Sequence, residues 1–441
     1  MFFTRLASRL RDAHPDHRAI ARGMAWVALF VLLGSVARAA REVAIAYRYG
    51  VSAEVDAYLF VFNLVNWPVA VWFSVLTVVL VPLAARIRHG ASAELPRFRS
   101  ELLGLTLLLG LALAILSWFG LPFLLRSSWT GLPGATVAIA INMVPKLTLL
   151  APMGVVISLF SVWMLAASRH ANTLLESVPA IVVLIALLAF PGGGVQPLVW
   201  GTLAGFAFHL VSLSASLARK GEIEAPRFIR QSPQWTPFWQ GFGFMLGGQA
   251  LMSFIGIIDQ FFAAHLGTGA IAELGYANRL LTLLLALGAT AVSRATLPVF
   301  SHAQAQGKTE LTSIAFHWIR LLFVVGLIAM IIAWGASSWG VKVLFQRGAF
   351  TPHDTQVVAE ILRYGLAQLP FYFAGLVMVS LLVSQRKYRV IFIIGALNLL
   401  VKLVFNALSV PYFGVSGLMI ATSAMSMFSC ILLVIVVSRK N

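Results

Sequence analysis

Long runs of apolar residues, separated by short polar connections, dominate the chain. Each run holds about 20 or more mainly apolar residues, which is the length a helix needs to cross the hydrocarbon of a membrane. The pattern therefore predicts an all-α polytopic membrane protein with about twelve spans. Their limits are 21–42, 57–84, 102–124, 135–167, 173–191, 196–218, 237–265, 276–300, 313–336, 357–384, 388–410 and 414–438.

The composition narrows the class further. Hydrophobic residues make up 60% of the 441 residues and charged residues 11%, with a mean hydropathy of +0.89. A soluble domain has about 45–50% apolar and about 25% charged residues, so a soluble enzyme, a disordered protein and a secreted disulfide scaffold are excluded. The single cysteine, Cys430, cannot form an internal disulfide or a metal cluster, and we expect it to pack as a small core residue.

The positive charges are distributed unevenly between the two sides of the predicted spans. If the N-terminus is cytoplasmic, 20 of the 32 Lys and Arg residues lie in inner segments, four in outer segments and eight within spans. Lys and Arg are retained on the cytoplasmic side of membrane proteins, so the count predicts that both termini are inside. The net charge of +17 then reflects topology and contact with anionic lipids rather than binding to nucleic acid.

A polar segment divides the spans into two sets of six. It has the sequence ARKGEIEAPRFIRQSPQWTP, which carries charges and three prolines without apolar periodicity. We therefore predict an N-terminal six-helix bundle at 1–218, a cytoplasmic linker at 219–236 and a C-terminal six-helix bundle at 237–441.

The two predicted bundles also share a spaced pattern. Gly50 is followed by Tyr58 and Pro82, at spacings of 8 and 24 residues. The second copy has spacings of 9 and 22, with Gly267, Tyr276 and Pro298. Duplicated halves place a substrate path along the pseudo-axis between them, whereas the alternative is chance similarity between apolar segments.

Ionisable residues within membrane spans are costly, and they are functional candidates by default. The pattern places twelve of them within spans, namely Arg38, Arg41, Glu42, Lys146, Glu176, Asp259, Arg279, Arg294, Arg320, Glu360, Arg363 and Lys402. For Lys402, Arg320 and Arg363 we expect the side chain to reach a membrane interface. Asp259 has either a coupling role or a structural role, in which a neighbouring helix satisfies the carboxylate.

Arg38 and Arg41 are three residues apart and share one helix face, which makes sense if that face lines a wet cavity. Glu42 and Asp56 offset part of the charge, and Arg279 stands in the second repeat just after its tyrosine. Guanidinium groups recognise phosphate oxygens bidentately. Arginines from both bundles therefore predict an anionic, phosphorylated substrate.

The sequence also lacks the marks of catalysis. It has no Walker A motif, no His/Cys cluster with metal spacing, and only a few acids in the outer loops. We expect a transporter rather than an enzyme, with no cofactor and no bound metal. An ion or voltage gradient would drive it, since one charge moved through 100 mV is worth about 2.3 kcal/mol, and a coupling ion stays open.

Several segments together resemble one family, the MurJ (MviN) lipid II flippases. The segment LGSVARAAREVAIAYRYGVSAEVDAYLFVFNL resembles the first two helices of that family, with Arg41-Glu42 on its Arg-Asp pair and Asp56-Ala57-Tyr58 at the entry to its second helix. Three further matches keep the family's order, namely Ala277-Asn278-Arg279-Leu280, Leu297-Pro298-Val299-Phe300-Ser301 and Leu344-Phe345-Gln346-Arg347-Gly348-Ala349-Phe350-Thr351.

The resemblance implies two six-helix bundles flanking a central cavity, in the bacterial cytoplasmic (inner) membrane. It implies alternating access that moves an undecaprenyl-pyrophosphate-linked saccharide outward, with the peptidoglycan precursor lipid II as the substrate, for cell-wall synthesis and cell shape. It also implies that Arg41 and Arg279 contact the pyrophosphate or a neighbouring anionic group. The full predicted binding set is Arg38, Arg41, Glu42, Asp56, Asn278 and Arg279.

The chain departs from the family at the second helix and at its end. Asn63-Leu64-Val65-Asn66 and Val69-Ala70 stand where the family has a basic pair, and we expect twelve helices where typical members have two more. Three alternatives therefore stay open. They are a flippase for an exopolysaccharide or O-antigen unit, a cation-coupled multidrug exporter, and an inactive scaffold of the cell-wall machinery.

Overall fold

The computed structural model describes residues 15–90, 94–167, 169, 171–305, 311–385 and 387–438. Every regular element in these residues is helical, and they contain no strand. The α-helices, numbered in chain order, are α1 (Pro15–Tyr49), α2 (Ala53–Gly90), α3 (Leu95–Arg126), α4 (Gly134–Leu147), α5 (Leu150–Ala166), α6 (Ala171–Leu175), α7 (Val178–Ala189), α8 (Gln196–Ala218), α9 (Trp235–Ala264), α10 (Ala270–Ala305), α11 (Leu311–Phe345), α12 (Pro352–Leu366), α13 (Leu369–Ser384), α14 (Tyr388–Phe413) and α15 (Val415–Ser438).

The apolar pattern predicted the class of fold correctly. Among the described residues, eight helical segments are long and apolar enough to cross a membrane, or up to ten if each of two interrupted pairs, α4 with α5 and α12 with α13, is one span. The two remaining predicted runs, 21–42 and 276–300, lie on α1 and α10. The all-α, polytopic membrane class is therefore confirmed.

Some predicted features lie outside the described residues. They include the side chain of Arg294 and the side chains of the stretch 297–301 that resembles the family, among them that of Pro298. They also include the side chains of nine of the charged residues placed on the inner side, which are Arg5, Arg9, Arg11, Arg18, Arg22, Lys308, Arg386, Arg439 and Lys440.

The chain forms two compact units. Unit 1 comprises Met1–Ile45, Leu76–Leu111 and Pro152–Phe238, and unit 2 comprises Ala46–Val75, Ala112–Ala151 and Trp239–Asn441. Unit 2 thus takes two segments from the first predicted bundle, so the units do not follow the predicted bundles. The division into two six-helix bundles stays a prediction.

In unit 1, the non-helical segment 219–234, here called the strap, is held against α3. Glu101 on α3 is buried, and its carboxylate accepts the backbone N–H groups of Gln231 and Ser232 at 3.1 and 3.0 Å. The Ser100 carbonyl accepts the N–H of Arg227 at 3.0 Å. A side chain at Gly104 would collide with the Arg227 backbone, so glycine at this position permits the close approach.

In unit 2, proline shapes the connection between α12 and α13. These helices meet at a bend of 41°, and Pro370 stands in the first turn of α13. Proline has no N–H to donate and clashes with the preceding turn, so it breaks a helix. The Gln368 amide donates to the Gly365 carbonyl at 2.9 Å, which satisfies an acceptor near the break.

The same unit has an apolar core built from α10, α11, α13, α14 and α15. Val377, Met378 and Leu381 of α13 are almost fully buried there, together with Cys430 and Leu433 of α15. Cys430 is a free, buried thiol within this cluster, as predicted for a small core residue.

Candidate substrate-binding site

Three of the predicted site residues lie together on α1, within unit 1. Arg38 is exposed, and its Nη2 donates to Ser35 Oγ at 3.1 Å. Arg41 is half-buried, with 29% of its side chain exposed, and its guanidinium forms an ion pair with the neighbouring Glu42. Because Glu42 is itself buried, it holds Arg41 in place while Arg38 stays accessible.

A further acidic residue lies near this group. The Glu176 carboxylate interacts electrostatically with the Arg38 guanidinium. It also accepts a hydrogen bond from Asn172 Nδ2 at 2.8 Å. A side chain at Gly34 would meet Ser177, which shows how closely α1 approaches this segment. Unit 1 therefore presents two arginines that are partly balanced by two carboxylates, rather than isolated charges in hydrocarbon.

Asp56 has a different environment from the one predicted. It is 1% exposed, and its two carboxylate oxygens accept the backbone N–H groups of Gly269 at 2.5 Å and Ala272 at 2.8 Å. These N–H groups belong to the start of α10, where a helix has unsatisfied donors and a positive dipole end. The carboxylate thus caps α10 within unit 2, and we leave Asp56 out of the proposed binding set.

The tyrosine of the second repeat lies in the same part of unit 2. The Tyr276 hydroxyl donates to the Gly50 carbonyl at 3.0 Å, and the ring packs against Phe345 and Phe350 at centroid distances of 5.1 and 5.3 Å. Gly50 has a φ of +56°, which residues with a side chain rarely adopt. The residues that carried the family resemblance here therefore form a packed structural cluster.

Replacing Tyr276 with phenylalanine is expected to lower the free energy of unfolding by about 1 kcal/mol, because one buried hydrogen bond to Gly50 is lost while the ring contacts stay. Thermal unfolding of the purified protein, followed by tryptophan fluorescence, measures the change. The matched control is Tyr412→Phe, at a side chain that is 84% exposed. Equal melting temperatures for Tyr276→Phe and the wild type would contradict the role given to the hydroxyl.

Asn278 and Arg279 follow Tyr276 on α10. Asn278 is exposed and Arg279 is half-buried. The guanidinium carbon of Arg279 lies 5.4 Å from the centre of the Tyr276 ring, which is within the range of a cation–π contact. The Tyr276 ring thus helps to hold Arg279 in position. The planar guanidinium group of this arginine can bind an anion.

Asp259, also in unit 2, forms an ion pair with Lys402. Its Oδ1 is 2.9 Å from Lys402 Nζ and accepts a hydrogen bond from Asn406 Nδ2 at 3.0 Å. The expectation that Lys402 reaches a membrane interface is wrong, because this side chain is 0% exposed. Arg363, for which the same expectation was made, donates to Ser337 Oγ at 2.8 Å and to Ser338 Oγ at 3.0 Å.

The structure therefore sorts the predicted site residues into three kinds. Arg38, Arg41 and Glu42 form one group in unit 1, and Asn278 and Arg279 form another in unit 2. Asp56 and Asp259 have structural partners in unit 2. Sequence reasoning missed Glu101, Asn406 and Thr422, because neutral residues and carboxylates near a helix end carry no pattern of their own.

Comparison with known proteins gives one consistent family. A family model described as lipid II flippase MurJ matches residues 45–441. The probable lipid II flippase MurJ of Bdellovibrio bacteriovorus is 28% identical over 250 residues, which are 54% of this chain and 45% of that protein. The corresponding protein of Buchnera aphidicola subsp. Baizongia pistaciae is 21% identical over 428 residues, which are 94% of this chain and 82% of that protein.

Solved structures show the same fold. A lipid II flippase MurJ in an inward closed conformation matches with a TM-score of 0.81 at 20% identity, over 94% of this chain and 87% of that chain. An inward-facing multidrug resistance transporter of the MATE family and MOP superfamily matches with a TM-score of 0.73 at 16% identity, over 92% and 94% of the two chains. At these identities the likeness concerns the fold alone.

Proposed function

Because the chain belongs to the lipid II flippase MurJ family, we propose that it moves lipid II from the cytoplasmic to the outer leaflet of a bacterial cytoplasmic membrane by alternating access. Lipid II is an undecaprenyl-pyrophosphate-linked saccharide and a precursor of peptidoglycan. The observation that carries the proposal is the family match over residues 45–441. The protein is then a transporter and not an enzyme, with both termini on the cytoplasmic side, next to anionic lipids.

The arginines of α1 in unit 1 and the arginine of α10 in unit 2 are each suited to an anionic group of this substrate. Arg38 offers an exposed guanidinium, and Arg41 offers one whose position the buried Glu42 fixes. Arg279 is steadied by the Tyr276 ring, and Asn278 beside it is exposed and can donate to sugar or phosphate oxygens. Each arginine can bind two phosphate oxygens at once, which a lysine cannot do.

Complementation tests the function and the arginines together. The chain is expressed in a bacterium depleted of its own lipid II flippase, and its amount in the membrane is measured. We expect the wild type to restore growth and Arg41→Ala and Arg279→Ala to lower lipid II transport by about 100-fold, since a hydrogen-bonded charge contact is worth up to about 3 kcal/mol.

The matched control is Arg320→Ala, which removes an exposed arginine of α11 that is outside the proposed set; this variant should restore growth like the wild type. Rescue by both Arg41→Ala and Arg279→Ala at normal protein levels would refute the binding assignment. Failure of the wild-type protein, present in the membrane at normal amounts, would refute lipid II as the substrate and point to another undecaprenyl-linked glycan.

A further inference from the structure

The ammonium group of Lys402 is enclosed by oxygen atoms inside unit 2. Its Nζ lies 2.9 Å from the Asp259 carboxylate, and it donates to the Leu418 carbonyl at 2.7 Å and to the Thr422 hydroxyl at 2.6 Å. The oxygens come from α9 and α15, and the lysine comes from α14, so three helices meet at this group. The lysine side chain is 0% exposed.

This arrangement differs from an ordinary salt bridge. An ammonium has three protons to donate, and here each has an oxygen partner of a different kind: a carboxylate, a backbone carbonyl and a hydroxyl. Hard metal cations bind the same kinds of ligand, namely carboxylate, carbonyl and hydroxyl oxygens, rather than nitrogen or sulfur. The two side chains and the backbone carbonyl thus form an oxygen cage around one positive charge.

Asn406 supplies a further polar group beside the cage. Its Nδ2 donates to Asp259 Oδ1, and its side chain is 0% exposed. Its Oδ1 makes no hydrogen bond within the described residues. Rotation of the amide exchanges the nitrogen and the oxygen, so Asn406 can turn a fourth oxygen toward a cation that replaces the ammonium.

A buried carboxylate requires a positive partner here. Removing one member of a buried ion pair leaves an uncompensated charge, which costs several kcal/mol in general. The ammonium satisfies Asp259 from within the chain, and it occupies the space that a dissolved ion would need. A potassium ion and an ammonium group have similar radii, so the cage is of suitable size for either.

We propose that this is a monovalent-cation site whose cation is built into the chain as the Lys402 ammonium. The intact protein therefore needs no free sodium or potassium ion at this place. Removal of the lysine side chain opens the cage to such an ion. The assignment does not depend on the transported substrate, because it concerns how the helices of unit 2 are held together.

The test compares the unfolding of variants in three salts. Purified wild type and Lys402→Ala are transferred in detergent into sodium chloride, potassium chloride or choline chloride at equal ionic strength, and the Tm is followed by tryptophan fluorescence. The wild type should give one Tm in all three salts. Lys402→Ala should have a lower Tm in choline and regain about 5 °C in sodium or potassium, as expected for an ion that binds the folded state alone.

Two variants separate ion binding from general salt effects. Lys402→Met fills the cage with an apolar chain of similar length, so it should be destabilised in all three salts without ion dependence. The double variant with Asp259→Asn and Lys402→Ala lacks the carboxylate and should also show no dependence. A response of either variant equal to that of Lys402→Ala would overturn the assignment.

An identical Tm of Lys402→Ala in all three salts would also overturn it, because Asp259 would then have become neutral without an ion. If Lys402→Ala yields no folded protein, Lys402→Ser is measured in the same way, since serine adds one oxygen to the cage. Failure of both variants to fold in sodium or potassium would contradict the proposal.

Discussion

Replacing Glu101 with alanine is expected to lower the free energy of unfolding by about 3–5 kcal/mol, because a buried carboxylate with several donors is lost. One oxygen of Glu101 accepts three N–H groups, including the Trp235 indole at 2.6 Å. The other accepts from Arg97 Nε at 3.1 Å. Alanine would leave the Ser232 N–H and the Trp235 indole N–H, which belong to buried residues, without this acceptor.

The loss should release the strap, residues 219–234, from α3. Thermal unfolding measures the stability, and limited digestion with trypsin measures the release, since the strap holds Arg219, Lys220, Arg227 and Arg230 as cleavage sites. We expect faster cleavage in Glu101→Ala under native conditions. Glu101→Gln should fall between the two, because an amide keeps one acceptor oxygen and loses the charge.

The matched control for this prediction is Glu94→Ala. Glu94 is half-buried and accepts one hydrogen bond, from Gln234 Nε2 at 3.0 Å. Its removal should cost about 1 kcal/mol or less. Equal stability and equal trypsin sensitivity of Glu101→Ala and the wild type would show that Glu101 does not hold the strap.

The second large effect is expected at Asp56. Asp56→Ala should lower the free energy of unfolding by about 3–4 kcal/mol, since two backbone donors at the start of α10 lose their acceptor and the dipole loses its counter-charge. The residue is 1% exposed, so water cannot replace the carboxylate. The loss should appear as a lower Tm and less folded protein in the membrane.

An exposed cap provides the comparison. Asp354 caps α12 in a capping box with Thr351, where water can take over its hydrogen bonds. Asp354→Ala should therefore cost about 1 kcal/mol. A normal Tm of Asp56→Ala combined with lost transport would instead return Asp56 to the substrate-binding set.

In unit 2, several residues that are recognisable in the sequence have structural partners, and they differ from the residues that we propose as substrate contacts. Gly50, Asp56 and Tyr276 stood out in the sequence, since both copies of the repeat contain a glycine and a tyrosine and Asp56 matches the family pattern. In the structure Tyr276 bonds to the Gly50 carbonyl and Asp56 caps α10. Their polar groups bond to the backbone, while the exposed Asn278 and the half-buried Arg279 are the residues of unit 2 that we propose as ligand contacts.

Lys402 shows why an intramembrane charge could not be interpreted from its neighbours in sequence. The residues around it are apolar, and long lysine side chains often extend to an interface. The outcome depended on Asp259, Leu418 and Thr422, which belong to two other helices. The carboxylate of Asp259, on another helix, pairs with the Lys402 ammonium inside unit 2. The separation of the two residues in the sequence gives no indication of this contact.

The sequence by itself determined the membrane class, the helical spans and the family, because the apolar length needed to cross a bilayer is a local property. Tertiary structure alone decided which charges are satisfied internally. Asp56 meets a backbone N–H 213 positions away, and Glu101 meets Ser232 131 positions away. Such partners are brought together by helix packing, and the cost of leaving a buried charge unpaired then fixes the role of each side chain.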